Sequence, residues 1–238
     1  MTDLRDIWVY LATDPLLHLT ATVVAFQCAS WVYRRGGMHP LLNPVLLAVI
    51  AIVVGLSATG TSYETYFEGA QFVHFLLGPA TVALAIPLYR QLAPLRRSAA
   101  AIAVALIAGS LTAAASAVAI AWVLGAAEDT MIALAPKSVT APVAMGITEQ
   151  LGGLPSLTAV LVILTGILGA MLGPLVLNAL GITDWSVRGL AIGTASHGIG
   201  TARAFQVSPL AGAFAGLAMG LNALATAILL PLIWSVMF

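Results

Sequence analysis

Charged side chains are scarce in this sequence. Only 8% of its 238 residues are charged, whereas 61% are hydrophobic, and the mean hydropathy is +1.03. A soluble domain carries about 25% charged residues, because its surface has to interact with water. So few charges could not cover the surface of a soluble chain of this length. The sequence therefore predicts an integral membrane protein.

The sequence also has no net charge and no pair of cysteines. Nine basic residues balance nine acidic ones, which argues against a basic face for nucleic acid. Cys28 is the only cysteine, so the chain has no Cys-x-x-Cys pair and no internal disulfide. The sequence also lacks a phosphate-binding loop, a His-Glu-x-x-His zinc motif and a nucleophile–base set. We therefore expect neither an enzyme nor a cofactor or metal site.

Long runs of residues without charge make up most of the sequence. Crossing about 30 Å of hydrocarbon takes roughly 20 residues of helix, and a helix satisfies its own backbone groups in lipid. The pattern predicts an all-α, polytopic transmembrane helix bundle, with one integral membrane domain over residues 1–238. The plain spans are predicted at residues 15–33, 39–58, 69–89, 98–124, 155–180 and 211–236.

Two further apolar stretches, 130–150 and 188–205, contain charge, glycine or proline where a plain span would not. We expect both segments to be interrupted or re-entrant, which gives about six to eight membrane segments in all. Pro79, Pro136 and Gly193 follow one another at intervals of 57 residues, and each opens a stretch of small residues. This spacing suggests internal repeats of the kind found in secondary transporters. Coincidence is an equal alternative, because the units share little side-chain identity.

The arginines indicate how the bundle is oriented. Five of the eight arginines cluster in two loops separated by two predicted spans, while the loops between and after these contain acidic residues and no base. Because basic loops favour the cytoplasmic side, we expect the arginine loops inside and the N-terminus outside. The arginines concerned are Arg34, Arg35, Arg90, Arg96 and Arg97.

The stretch from Pro136 to Pro142 combines a cation with helix-breaking residues. Each proline lacks a backbone donor and disturbs a helix, and irregular backbone is tolerated in a membrane only where protein or water covers it. Lys137, Ser138 and Thr140 would offer an anionic substrate a positive charge and two hydroxyl groups. The alternative is that Lys137 lies near an interface and extends its ammonium group to water.

The second interrupted stretch is rich in glycine and small polar side chains. Its predicted helix breaks are Gly193, Gly198 and Gly200, because glycine lets the backbone leave helical geometry; the alternative is that these glycines let another helix approach closely. The polar side chains predicted to line a site there are Thr194, Ser196, His197, Thr201 and Arg203. A neutral histidine can pass protons at working pH, and an arginine can hold a carboxylate with two hydrogen bonds.

Structural roles are the alternative for the histidine and the arginines of this stretch. A lone histidine is more often a hydrogen-bonded structural residue, and Arg203 would serve equally well as an anchor at the membrane interface. Arg188 is expected to be such an anchor, because Asp184 and Trp185 lie beside it.

Weaker signals lie in the other spans. Pro79 is expected to break the third predicted span, and Thr81 would line the path of the substrate there. Glycines four residues apart predict close packing between helices, with Asn178 and Asn222 as polar contacts between them. These glycines are Gly169 and Gly173 in the sixth segment, and Gly212, Gly216 and Gly220 in the last.

Several motifs occur together, and in order, in one family of membrane proteins. They are the sequences at 41–44 (LLNP), 75–84 (FLLGPATVAL), 136–140 (PKSVT), 152–155 (GGLP) and 193–204. On these motifs the chain resembles the LrgB/CidB family of bacterial membrane proteins, whose plant relative is the chloroplast glycolate/glycerate translocator. The resemblance covers nearly all of the chain beyond about residue 15.

The resemblance implies a protein of the bacterial cytoplasmic (inner) membrane with one of two functions. One is secondary transport of small monocarboxylates such as glycolate, glycerate or pyruvate, with or without protons. The other is antiholin-like regulation of murein hydrolase export and autolysis, with a small holin-like partner of the LrgA/CidA type. The residues favour transport, because a lysine and hydroxyl groups at a helix break suit a small hydroxy acid. Membrane lipid and a second copy in a homodimer are the other expected partners.

Overall fold

The computed structural model describes residues 15–39, 42–76, 79, 82–83, 86, 89 and 96–237. All regular secondary structure in these residues is helical, which confirms the all-α prediction for this part of the chain. The helices are α1 Pro15–Arg35, α2 Pro44–Thr59, α3 Tyr63–Phe75, α4 Ala99–Val123, α5 Glu128–Leu134, α6 Ala141–Gln150, α7 Pro155–Ala179, α8 Trp185–Val207 and α9 Pro209–Met237. The chain divides into two compact units, residues 1–83 and 84–238.

Helix α2 of the first unit begins and ends at residues that favour those positions. Asn43 accepts hydrogen bonds from the amides of Val45 and Leu46, at 2.9 and 3.2 Å, and Pro44 lies in the first turn. Asparagine before a helix and proline at its first position both favour a helix start. The helix ends at Gly60, whose φ of 65° is left-handed and suits glycine.

Helices α1 and α3 of the first unit approach each other closely. A Cβ atom on Gly69 would collide with the Pro15 carbonyl oxygen and lie 2.8 Å from the Cβ of His18. The buried ring of His18 meets that of Tyr66 edge-on at 5.8 Å. The Tyr66 hydroxyl also hydrogen-bonds the Thr22 hydroxyl at 2.8 Å. Glycine therefore lets these two helices meet, and the tyrosine joins them.

In the second unit α8 packs against both α7 and α9. Its contact with α9 is a small-residue seam, in which Gly189 and Gly193 face Ala211 and Ala215. A Cβ on Gly193 would lie 2.6 Å from the Cα of Ala215, and one on Gly189 would lie 2.9 Å from the Cα of Ala211. Small residues four apart allow helix backbones to approach in this way.

The glycine pair predicted on α7 does pack against another helix. Gly169 lies against Ser196 of α8, and a Cβ on Gly173 would lie 3.6 Å from Cγ1 of Ile192, also on α8. These contacts confirm the prediction that this face of α7 is a packing surface.

The glycines predicted to pack on α9 differ from one another in what they contact. Gly212 meets the ring of Phe205, and Gly216 is buried. A Cβ on Gly220 would have no heavy atom of the described residues within 4 Å, so Gly220 makes no close helix contact in this part of the chain, and a contact with a second copy stays a prediction. One row of buried residues on α9 recurs at a spacing of three or four, along Ala211, Ala215, Met219, Asn222 and Thr226. Gly220 follows Met219 and is therefore turned about 100° away from that face.

Four of the described helices, α1, α4, α7 and α9, are long and apolar enough to cross a membrane. Helix α2 is also apolar but has only 16 residues. Large apolar side chains on these helices are exposed, for example Val104 at 69% and Leu224 at 60%, which suits a lipid-facing surface. The fold thus supports a helical membrane protein, and the count of six to eight segments stays a prediction.

The start of α8 is fixed by Asp184 and Arg188. The Asp184 carboxylate accepts hydrogen bonds from the Ser186 hydroxyl and from backbone amides of the first turn. These donors, the hydroxyl foremost, hold the pKa of the carboxyl below its ordinary value. Arg188 donates from Nη1 to the Ile182 carbonyl at 2.7 Å, and its guanidinium lies 5.2 Å from the centre of the Trp185 ring. Arg188 therefore ties α8 to the loop before it, and its predicted role as an anchor at the membrane interface stays a prediction.

We expect Gly193→Ala to destabilise the second unit, because the added Cβ meets the backbone of α9 rather than a flexible side chain. Overpacking of this kind costs about 1–3 kcal/mol. The matched control is Gly220→Ala, where space is open and the better helix propensity of alanine contributes up to about 1 kcal/mol. Thermal unfolding in detergent should give a lower midpoint for Gly193→Ala and an equal or higher one for Gly220→Ala. Equal midpoints for the two variants would contradict the seam.

Candidate functional site

The first predicted break lies between α5 and α6, where the chain turns through residues 135–140. Pro136 is fully buried there and Val139 is 1% exposed. Protein therefore covers this irregular backbone, as a membrane environment requires. Pro142 lies in the first turn of α6, where proline is tolerated because that amide has no partner within the helix.

Lys137 lies in the 135–140 turn, partly buried, with its Nζ 3.5 Å from the Ser138 hydroxyl. Thr140 directly precedes α6, and its hydroxyl makes no capping hydrogen bond. The N-terminus of a helix has unpaired amides and a partial positive charge. One turn thus carries an ammonium group, two hydroxyl groups and the start of a helix.

The second break lies within α8, at Ser196 and His197. Their dihedral angles are non-helical, with φ −131° and ψ 15° for Ser196 and φ 39° and ψ −133° for His197. The predicted break residues Gly193, Gly198 and Gly200 keep helical angles instead, so that assignment is corrected. A glycine permits a break but does not fix its position. Gly200 serves packing, since a Cβ there would lie 2.5 Å from the Cβ of Ser196.

Two glycines of α7, Gly166 and Gly169, make room for this break, and we call them the glycine notch. A Cβ on Gly166 would lie 2.6 Å from Cε1 and 2.7 Å from Nε2 of His197, and one on Gly169 would collide with the Ser196 hydroxyl. His197 is 5% exposed, and its Nε2 donates to the Val162 carbonyl at 2.9 Å, which requires the tautomer protonated at Nε2. Gly166 was not singled out from the sequence, although it lies one helical turn before Gly169.

Asn222 of α9 connects the two breaks. Its Nδ2 donates to the Ser138 carbonyl at 3.4 Å and to the Thr194 carbonyl at 3.0 Å. Ser138 belongs to the 135–140 turn, and Thr194 lies in the last turn of α8 before its break. The sequence predicted Asn222 only as a polar contact between helices, because nothing local in α9 shows which carbonyls it reaches.

Two polar atoms at this junction are buried without a hydrogen-bond partner in the part of the chain that the structure describes. They are Oδ1 of Asn222 and Oγ of Ser196, and both residues are 1% exposed. Nearly all buried polar groups in proteins are paired. These two atoms are therefore candidates for contact with a ligand.

The threonines predicted for the site bond within α8. Thr194 Oγ1 donates to the Leu190 carbonyl at 2.9 Å, and Thr201 Oγ1 donates to the His197 carbonyl at 2.8 Å. The second of these bonds joins the break to the helix that follows it. Thr201 therefore supports the conformation of the break.

The other predicted site residues, Arg203 and Thr81, do not belong to either of the two breaks. Arg203 lies partly buried on α8, two residues beyond Thr201. Thr81 lies outside the described residues, and Pro79 is exposed and helical, so the path predicted there stays a prediction. Within the described ranges, no three His, Cys, Asp or Glu side chains form a group able to hold a metal ion.

Four of the described helices are long and apolar enough to cross a membrane, and they expose large apolar side chains, which supports a polytopic helical membrane protein. The family described as LrgB-like matches residues 22–236, and the chain belongs to this family.

Curated relatives cover nearly the whole chain. It is 37% identical to the uncharacterized protein YwbG of Bacillus subtilis (strain 168), over 93% of this chain and 98% of that protein. It is 33% identical to the holin-like protein CidB of Staphylococcus epidermidis (strain ATCC 12228 / FDA PCI 1200), over 92% and 95%. The holin-like protein CidB of Staphylococcus aureus (strain N315) is 30% identical over the same shares. No solved structure matches the chain.

We expect Gly166→Ala to displace the His197 ring from the Val162 carbonyl and to lower the unfolding midpoint, because the new Cβ lies within contact distance of two ring atoms. A lost buried hydrogen bond and overpacking together cost about 1–3 kcal/mol. Gly173→Ala on the same helix is the control, since its Cβ makes an ordinary contact at 3.6 Å. Thermal unfolding in detergent measures both variants.

A double-mutant cycle with His197→Ala tests whether the ring causes the effect. Gly166→Ala should be less destabilising in the His197→Ala background than in the wild type. The same loss in both backgrounds would show that the glycine notch does not act through His197.

Proposed function

We propose that this protein is a secondary transporter of small monocarboxylates of the glycolate, glycerate and pyruvate class. The observation that carries the proposal is the bridge from Asn222 to the carbonyls of Ser138 and Thr194. Secondary transporters bind substrate where interrupted helices meet, because broken helices offer free backbone groups and helix ends inside the membrane. Two irregular segments that share one buried amide fit that arrangement.

An anion would find complementary charge on the 135–140 turn. Lys137 is partly buried beside the Ser138 hydroxyl, and Thr140 precedes the N-terminus of α6. An ammonium group gives a carboxylate a charge-assisted hydrogen bond, and the first amides of a helix add donors and a favourable dipole. Intramembrane ionisable residues are costly and usually functional, which favours a substrate role for Lys137 over an interfacial one.

Helix α8 completes the proposed site. His197 at the break is the titratable group there, and we include proton coupling in the proposal because histidine can gain and lose a proton at working pH. Thr194, Ser196, Thr201 and Arg203 are the other proposed site residues on this helix.

Much of the proposed site is buried. Ser196, His197, Thr201 and Asn222 are each 5% exposed or less, so a substrate reaches them only after a rearrangement. A break within a helix offers a place where two rigid halves can move relative to each other. We propose that α8 opens and closes the site at Ser196 and His197.

The proposed membrane topology follows from the interrupted segments. Six plain spans together with the α5–α6 segment and α8 give six to eight membrane segments, according to whether the interrupted ones cross or re-enter. We propose insertion in the bacterial inner membrane with the N-terminus outside, because the two arginine loops then lie on the cytoplasmic side.

Uptake into proteoliposomes tests the transport proposal. Wild-type protein should take up labelled glycolate or pyruvate, and Lys137→Ala should lower the initial rate by roughly ten- to a hundredfold, because hydrogen bonds to charged groups contribute about 1.5–3 kcal/mol. Lys137→Arg should keep part of the rate. The control is Glu149→Gln, an exposed residue at the end of α6, which should match the wild type. Equal uptake by Lys137→Ala and wild type would contradict the site.

A second candidate function is antiholin-like regulation of murein hydrolase export and autolysis with a small holin-like partner. It is favoured by the name holin-like protein given to the CidB relatives. Under this function, deletion of the protein should change autolysis in a medium without added carboxylates, and Lys137→Ala should complement the deletion fully. Failure of wild-type protein to move any carboxylate, even with the partner present, would favour regulation over transport.

A further inference from the structure

A cavity of about 450 Å³ lies between α4 and α9 in the second unit. Its lining follows one face of each helix, from Ser110 to Trp122 on α4 and from Thr226 to Trp234 on α9, because residues three or four apart share a helix face. Met131 of α5 also lines it. Apart from Ser110 and Thr226, the lining consists of apolar and aromatic side chains. We call this cavity the α4–α9 groove.

The two helices meet at one end of the groove. The Ser110 and Thr226 hydroxyls hydrogen-bond each other at 3.1 Å, and both residues are buried. Along the groove α4 presents Ala114, Ala115 and Ala119, whose small side chains leave space between the helices. Because the two hydroxyls are already paired, the groove offers a ligand mainly apolar surface. The part of a ligand that lies in the groove is therefore apolar.

The two tryptophans lie at the other end of the groove. Trp122 is 69% exposed, whereas Trp234 is buried, and tryptophan is enriched where a membrane meets water. Ser110 and Trp122 are twelve residues apart on α4, which is about 18 Å along a helix. One leaflet of a bilayer contributes about 15 Å of the hydrocarbon thickness. The groove is therefore about as long as one leaflet is deep.

The width of the groove distinguishes between a helix and a hydrocarbon chain as its occupant. Spread over about 18 Å, its volume corresponds to a cross-section of about 25 Å², or roughly 5–6 Å across. A helix with its side chains is about 10–12 Å in diameter and does not fit. Carbon atoms pack at about 4 Å, so a single hydrocarbon chain fits. Leu111 and Ile233 line the groove and are partly open to the surroundings, so that a chain can enter from the lipid.

Charged side chains near the tryptophan end indicate which headgroup such a chain carries. Glu128 and Asp129 are exposed in the first turn of α5, and Met131 of the same helix lines the groove. Residues 122–129 contain no lysine or arginine. The carboxylate of a free fatty acid would be repelled by these two acids, whereas an ammonium group would be attracted. The charge therefore favours a phospholipid that has an ammonium group over a free fatty acid.

We propose that the α4–α9 groove is a lipid-binding site that takes one acyl chain of phosphatidylethanolamine from the leaflet at Trp122. The chain lies along the alanines of α4 and ends near Ser110 and Thr226, and the headgroup ammonium lies towards the acids of α5. The bound chain fills the space between α4 and α9 and stabilises the second unit, because a ligand that binds only the folded state stabilises it. This site does not depend on the proposed transport function.

Photolabelling of the wild-type protein tests the proposal. The protein is placed in phosphatidylglycerol vesicles with a trace of phosphatidylethanolamine whose acyl chain ends in a diazirine, and labelled residues are mapped by mass spectrometry. We expect adducts at 110–115 of α4 and 226–230 of α9. Replacing part of the phosphatidylglycerol by unlabelled phosphatidylethanolamine should reduce these adducts at least about fivefold by mass action. Labelling at Leu168, 51% exposed midway along α7, should not change, because it reports lipid at the surface.

Three results of this experiment would overturn the proposal. Absence of adducts at 110–115 and 226–230 would show that something other than a lipid, such as a second copy or a partner protein, covers the groove. Adducts there that respond to unlabelled lipid no more than those at Leu168 would show ordinary surface lipid. Stronger competition by palmitate than by phosphatidylethanolamine would show that the groove takes a free fatty acid instead.

Ala119→Phe assigns the binding to the groove, because the larger side chain occupies its middle. It should lower the adducts at 110–115 by at least about tenfold, since several methylene groups of the acyl chain lose their buried position. Ala105→Phe is the control, an exposed alanine of α4 outside the lining, and it should label as the wild type does. Unchanged labelling in Ala119→Phe would overturn the assignment. Thermal unfolding in detergent checks that both variants fold, and the wild-type competition decides alone if Ala119→Phe does not.

Discussion

The hydrogen bonds of the Asn222 amide are the interaction on which the second unit depends. Breaking a helix inside a membrane exposes backbone groups that lipid cannot satisfy, and this chain has irregular backbone at residues 135–140 and within α8. One amide nitrogen on α9 reaches a carbonyl from each. The two irregular segments are thereby held against the same helix, so their positions are no longer independent of one another.

Glycine supplies the space that this junction needs. The small-residue seam of Gly189 and Gly193 brings α8 against α9, which places Thr194 within reach of Asn222. Where α8 packs against α7, the glycine notch receives the side chains of Ser196 and His197. His197 has a positive φ, which is uncommon for a residue with a side chain. Its bond to Val162 and the Thr201 bond to its carbonyl compensate for that conformation.

The sequence predicts the helices that depend on one segment alone, but it does not predict the contacts between segments. The spans at 98–124, 155–180 and 211–236 are close to α4, α7 and α9, because long apolar runs have one stable form in lipid. The break in α8 was assigned to glycines, yet it lies at Ser196 and His197. Its position depends on the notch in α7, about thirty residues earlier, and no local rule contains that information.

Movement of either irregular segment away from α9 is linked to the other through Asn222. Its Nδ2 reaches the carbonyls of Ser138 and Thr194 at the same time only while both segments lie against α9. Displacing one of them therefore breaks a buried hydrogen bond and leaves a carbonyl to be satisfied by another donor. A ligand shifts such an equilibrium only by binding one arrangement more tightly than the other. A ligand that supplies a donor to the released carbonyl would favour the displaced arrangement, because it replaces the hydrogen bond that Asn222 loses.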